Sequence, residues 1–185
     1  MTALLRFSDV ILRRGGRLLF DGLSFDLRPG DALQVRGRNG SGKSSLIRLA
    51  AGLLEQEHGK VERSTLALAD DHVALDRERS LRASLSLWGG NIDQALETYR
   101  LSHLAAVPVR LLSSGQLKRA TLARVHASAA PLWLLDEPLN ALDADGIAEL
   151  DSAIITHLAS GGAVLAASHQ QLPGQWRTID LEHQP

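Results

Sequence analysis

There is no cysteine anywhere in the 185-residue chain, so neither a disulfide framework nor a thiolate metal site is open to it. A charge excess is missing as well. Twenty basic against 21 acidic residues leave a net charge of −1, and without a positive field non-specific nucleic-acid binding has no electrostatic basis. Nucleic acid is therefore not expected as a partner. Long apolar runs are absent too: "AVLAA" at 163–167 is far short of the roughly 20 residues that a bilayer-spanning helix needs. The opening "MTALLRFSDVILRRGG" does not follow the basic, apolar, small order of a secretory leader. The expectation is a chain without signal peptide or transmembrane helix, residing in the cytoplasm and reaching a membrane only through a partner. No repeat, low-complexity segment or linker interrupts it, and its length is that of one domain.

What is present is an alternation of short strands and helices. "ALLRF", "LSFDL", "ALQVR", "VERSTLALA", "PLWLLDE", "AVLAAS" and "RTIDLE" read as strands; "SLIRLAAG", "IDQALETYRL", a stretch from about 116 to 128 and "AELDSAIITHLA" read as helices. Gly52 closes the first helix, Asn91 with Gln94 caps the second, and Gly161 with Gly162 stops the last. The run at 132–135 is apolar on both faces, as in a fully buried strand. Strands alternating with helices imply an α/β fold, a mainly parallel sheet covered on both sides.

Two segments carry phosphate chemistry. "GRNGSGKS" at 37–44 matches the P-loop pattern in full and lies between a predicted strand and a predicted helix. Gly37, Arg38, Asn39, Gly40, Ser41 and Gly42 would turn their backbone N–H groups on a polyphosphate, Lys43 would reach its outer phosphates, and Ser44 would ligate Mg²⁺, with Ser45 beside it. "LWLLDEP" delivers Asp136 at the end of a buried strand, where a carboxylate can hold the Mg²⁺ shell, and Glu137 next to it, pointing differently, suits a base that orients water. Trp133 reads as core. "LAASHQ" ends a further strand in His169, placed to bond a terminal phosphate oxygen.

"LSSGQ" at 112–116, taken alone, is a serine-capped amphipathic helix start. Followed by "LLDEP", "NALD" and "SH", and preceded by the P-loop, it resembles the signature of the ABC-type ATPases, with Ser114 where that family usually has glycine. The resemblance implies a P-loop NTPase with a RecA-like core sheet, an N-terminal antiparallel β subdomain and a small, shortened α-helical subdomain at about 77–128, all within one domain over 1–185. It implies ATP and Mg²⁺ as cofactors, and a homodimer in which Ser113, Ser114, Gly115 and Gln116, with Asp143 of the following "NALD", face the ATP held by the second copy's P-loop. Lys118 and Arg119 read as the solvated face of the signature helix.

"LLFDGLSFDL", "PLWLLDEPLNALDADGIAELD" and "LASGGAVLAASHQQL" are similar, over nearly the whole chain, to the ATP-binding subunits of cytochrome c maturation (haem exporter) complexes; only 62–106 matches weakly. This implies an ATP hydrolase of the translocase class at the cytoplasmic face of the bacterial inner membrane, peripheral, paired with an integral CcmB-like subunit. Two positions depart from the family pattern. Arg14 falls where an aromatic residue commonly stacks on adenine, and a guanidinium plane can also lie over a ring. His72 falls on the glutamine that links Mg²⁺ to the membrane partner, where an imidazole can ligate a metal or accept a hydrogen bond. Asp70, Asp71 and His72 together leave open a separate metal site, or an exposed loop. Other functions compatible with these residues are a soluble ABC ATPase acting on nucleic acid or ribosomes, and a non-hydrolysing nucleotide-gated module.

Overall fold

A computed structural model describes residues 2–70, 72 and 74–181. Asp71 of the possible metal loop lies outside them. Strands β1 (Leu5–Arg14) and β2 (Arg17–Leu27) form an antiparallel hairpin, and β4 (His58–Arg63) pairs antiparallel on the other edge of β1, in the order β2-β1-β4. Arg14 pairs with Arg17 across the two-residue turn Gly15-Gly16, whose φ values of 58° and 78° match the twist of the flanking strands and are accessible cheaply only to glycine. The hairpin makes both strands longer than "ALLRF" and "LSFDL" suggested. A bulge at Asp9, with φ 52° and a register shift between Phe7 and Val10, breaks the alternation that would have shown the length.

The second sheet holds β5 (Leu66–Ala69), β6 (Leu132–Asp136), β7 (Ala163–Ala167), β3 (Ala32–Arg36) and β8 (Arg177–Asp180), in the order β5-β6-β7-β3-β8, with every neighbouring pair parallel. "VERSTLALA" is therefore two strands, not one. The chain leaves the antiparallel sheet at Arg63 and enters the parallel sheet at Leu66. Helices α1 (Lys43–Ala51), α2 (Leu81–Leu85), α3 (Ile92–Thr98), α4 (Ser114–Ala127) and α5 (Ala144–Ala159) complete the chain, and none among the described residues is long and apolar enough to cross a membrane. Asn91 caps α3 by accepting from the Gln94 N–H at 3.1 Å.

Each central strand serves two cores by simple alternation. Leu132 and Leu134 of β6, like Leu165 of β7, pack with α1 and the antiparallel sheet. Trp133 and Leu135, like Val164, pack with α2–α5. Burial on both faces pins the register of β6 and β7, so the residues that follow them emerge at a fixed edge.

Trp133 stacks on His157, with ring centroids 3.9 Å apart and planes 11° off parallel, and His126 lies 5.9 Å from Trp133 and edge-on to the buried Tyr99. Burial lowers the pKa of both histidines below the ordinary 6.5. Each thus gives stability that is fully present above 6.5 and is lost as pH falls below it, because the unfolded chain takes up protons the folded one refuses. Thermal unfolding followed from pH 7.5 to pH 5.5 is expected to show a falling midpoint, about 2–4 °C for each kcal/mol of linkage. His157→Phe, which keeps a ring on Trp133, should flatten that dependence; an unchanged slope in the variant would remove His157 as its source.

Candidate nucleotide site

Strands β6, β7 and β3 are neighbours and end at one edge of the parallel sheet. Beyond β3 the 37–42 loop turns directly into α1. Gly42 caps that helix in a left-handed conformation, φ 104°, without any side-chain hydrogen bond. A Cβ there would come within 3.2 Å of the Phe20 ring, so only glycine lets β2 close under the loop. The first amides of α1 are left uncapped by any side chain, and they add to the partial positive charge of the helix N-terminus. Lys43 is 7% exposed. Its amine donates to the carbonyls of Gly37 at 2.9 Å and Arg38 at 3.3 Å, and lies 3.7 Å from Glu137 Oε1. Asn39, Gly40, Gly42, Lys43, Ser44 and Ser45 line a cleft of about 450 Å³, and Arg14, Arg17 and Leu19 of the hairpin, with Glu137, complete its wall. Ser44 is exposed to it.

Asp136 is the last residue of β6 and 6% exposed. Glu137 follows in the left-handed region, φ 44°, unusual for a residue with a Cβ and held by its surroundings. Its N–H donates to the carbonyl of Ala167 at 2.8 Å, which ties it to the end of β7. Two residues further along β7's exit, His169 Nδ1 lies 2.8 Å from Glu137 Oε2. The stretch after His169 is anchored by Gln34, fully buried on β3. Its amide donates to the Gln170 carbonyl at 2.6 Å, and its Oε1 accepts from the Leu172 N–H at 3.4 Å. Lys43, Glu137 and His169 therefore form one contact chain across three strand ends.

The segment 113–116 stands at the start of α4. Ser113 accepts from the Gln116 N–H at 3.3 Å, and Gln116 Oε1 accepts from the Ser113 N–H at 2.9 Å, a reciprocal capping box. The cap read from "LSSGQ" alone is thus real, and Ser113 and Ser114 remain exposed beyond it. Gly115 packs closely, since a Cβ there would approach the Ala141 carbonyl to 3.0 Å. Asp143 caps α5 through the Gly146 N–H at 2.9 Å. That bond and the Arg119 guanidinium hold its carboxyl below the usual range.

One expectation changes here. Lys118 and Arg119 are not a solvated face. Lys118 reaches the Glu137 carbonyl at 2.9 Å, and Arg119 is bonded to Asp143 and lies 3.5 Å from Glu149, which is itself 7% exposed. The helix period carried this signal, since Thr121, Leu122 and Val125, three, four and seven residues after Lys118, are all buried. His72 follows β5, the direct neighbour of β6, where Ala69 pairs with Leu135, and it lines a largely apolar cleft of about 310 Å³ with Leu68, Trp88 and Arg124. Of the two readings left open for the 70–72 loop, whose Asp71 lies outside the described residues, the exposed loop agrees with what is seen: His72 is exposed, its N–H bonded to Asp70 Oδ1 at 3.1 Å. Arg14, by contrast, is in the P-loop cleft, donating to Ser45 Oγ at 3.3 Å. Arg17 lies across the glycine turn, 3.5 Å from the Gly40 carbonyl, and went unnoticed because the turn itself did.

The ABC transporter family profile matches residues 20–140. This chain belongs to the ABC transporter ATPases. It is 52% identical over 177 residues, 91% of each chain, to the cytochrome c biogenesis ATP-binding export protein CcmA of Sphingopyxis alaskensis. With the protein of that name from Novosphingobium aromaticivorans it shares 51% over 169 residues, 89% of this chain and 88% of the other. A putative ABC transporter ATP-binding protein from Pyrococcus furiosus superposes with a TM-score of 0.84 at 20% identity, over 96% of this chain and 97% of that one, which shows the fold. As an ABC ATPase with CcmA-named relatives the protein is a nucleotide-binding subunit. The α/β fold expected from the alternating elements, a parallel sheet beside a smaller antiparallel one, is the one found.

Proposed function

We propose that the protein hydrolyses ATP as a head-to-tail homodimer with two composite sites, and that it drives haem handling for c-type cytochrome assembly with an integral membrane subunit at the cytoplasmic face of the bacterial inner membrane. The contact chain Lys43–Glu137–His169 at the mouth of the P-loop cleft is the observation that carries the hydrolytic reading. Lys43 and the loop amides of 37–42 hold the outer phosphates, with Ser45 and Arg14 at the cleft wall. Glu137 accepts a proton from the attacking water as it orients it, and His169, bonded to Glu137, both fixes the carboxylate and reads the terminal phosphate. Ser44 and Asp136 offer a hydroxyl and a carboxylate oxygen, the donor chemistry that Mg²⁺ prefers; when bound, Mg²⁺ neutralises phosphate charge. Ser113, Ser114, Gly115 and Gln116, with Asp143, close the other copy's site.

ATP bound between two chains joins them, and hydrolysis releases them. The resulting motion is the output passed to the membrane subunit. The names of the relatives support the cytochrome c assignment, and the balanced charge argues against a role on nucleic acid. Phosphate release by the membrane complex distinguishes this reading from a non-hydrolysing module.

The composite site is tested by crosslinking. The chain has no native thiol, so Asn39→Cys in one tagged copy and Ser114→Cys in another supply one reactive pair. Position 39 is preferred to position 40, where φ 83° makes a side chain strained. With Glu137→Gln to retain ATP, a bridged pair of differently tagged chains is expected under oxidation, dependent on nucleotide. Bridges confined to single chains when both cysteines share one copy, and none between copies, would end the composite-site proposal.

A further inference from the structure

The proposed hydrolysis leaves unexplained what keeps Glu137 in its left-handed conformation and what links the 113–116 segment to it. Both questions lead to α4. Lys118, one turn beyond Ser114, donates to the Glu137 carbonyl at 2.9 Å and lies 3.5 Å from the Asp136 carbonyl. The same Glu137 carbonyl accepts from the Asn140 N–H at 3.3 Å, which closes the turn that begins there. Next along the helix, Arg119 binds Asp143, the N-cap of α5 beyond that turn, and lies against Glu149. Gly115 packs beneath Ala141, midway. One helix face therefore holds the start, middle and end of the 136–143 segment.

We propose that Lys118 is a positioning residue for hydrolysis: by bonding the Glu137 carbonyl it fixes the backbone from which the carboxylate is aimed, and it joins the segment facing a second copy's nucleotide to the catalytic carboxylate of its own chain. A cation suits this place because the carbonyls of Asp136 and Glu137 both point toward it, and a charge-assisted bond holds them more firmly than a neutral donor does. Movement of α4 on closure around nucleotide would be felt at Glu137 without any change in the P-loop, so the effect falls on turnover, not on nucleotide affinity. This assignment rests on the hydrolytic reading above.

The test compares wild type, Lys118→Met and Lys118→Arg in the membrane complex purified through a tag on this chain, measuring phosphate release against ATP concentration and thermal unfolding. Methionine keeps the side chain's length without its donors. The expected result is a roughly tenfold lower kcat, with KM for ATP and the unfolding midpoint unchanged, and recovery of most of the rate with arginine. A Lys118→Met complex as fast as wild type overturns the assignment while leaving hydrolysis intact. A rate loss that comes with a raised KM or a lowered midpoint, or that arginine does not repair, overturns it in favour of general structural support. A wild-type complex that releases no phosphate sinks the hydrolytic reading itself, and this assignment with it.

Discussion

Replacing Glu137 with glutamine is expected to slow ATP hydrolysis by roughly a hundred- to ten-thousandfold, the range that a positioned general base contributes, while nucleotide binding survives. The substitution keeps the side chain's size and an oxygen that can still face His169, so the 2.8 Å contact has a replacement and the strand ends stay where they are. What disappears is the capacity to accept a proton from water. Lys43, the P-loop amides and Ser44 are untouched, so ATP remains bound and two copies remain joined around it. Gel filtration with ATP should show a dimer that persists for the mutant and decays for the wild type. Steady-state turnover equal to wild type would take Glu137 out of the chemistry.

The same experiment separates Glu137 from its supports. Loss of Lys118 alters where the carboxylate points but leaves a base, so its rate effect is expected to be an order of magnitude or more smaller than that of Glu137→Gln. His169→Ala sits between the two, because it removes a partner of Glu137 Oε2 and a phosphate contact together. A graded series of this kind follows from the geometry, in which the proposed base is aimed by its bonds with His169, Ala167, Asn140 and Lys118.

How much of this was legible depended on how local the signal was. The P-loop and the run at 132–137 declare themselves because each packs strand end, turn and functional residue into eight residues or fewer, where sterics leave few conformations. The cap at Asn91 was visible for the same reason. The helical region was harder. α2, which has no counterpart among the expected helices, is five residues long, too few to show a period, and a helix that short owes its stability to packing that no local pattern records. Lys118 and Arg119 were misjudged by their charge, although the buried positions of α4 already marked their face. Arg17 needed the Gly15-Gly16 turn to be recognised first, since only a hairpin sets it beside Arg14 at the cleft.

Lys43→Ala is expected to weaken ATP binding on the order of a hundredfold, measurable by calorimetry on the Glu137→Gln background, where hydrolysis does not deplete the ligand. A charge-assisted bond to phosphate contributes about 1.5–3 kcal/mol, or roughly ten- to a hundred-and-fifty-fold in affinity. The structure places this residue at the upper part of that range for two reasons. The amine is buried, so little water competes for the phosphate it meets. It is also already held between the Gly37 and Arg38 carbonyls, 2.9 and 3.3 Å away, so little side-chain entropy is lost when a phosphate arrives. Alanine removes that internal tie as well as the phosphate contact, and the loop amides must then be ordered by the ligand itself. Lys43→Arg discriminates between charge and fit: its planar fork cannot enter the ring of Gly37 and Arg38 carbonyls as a single ammonium does, so affinity should stay low although the charge is kept. Binding by Lys43→Ala as tight as that of the parent chain would show that ATP is held elsewhere than in the 37–44 loop, and every role assigned around that loop would have to be abandoned.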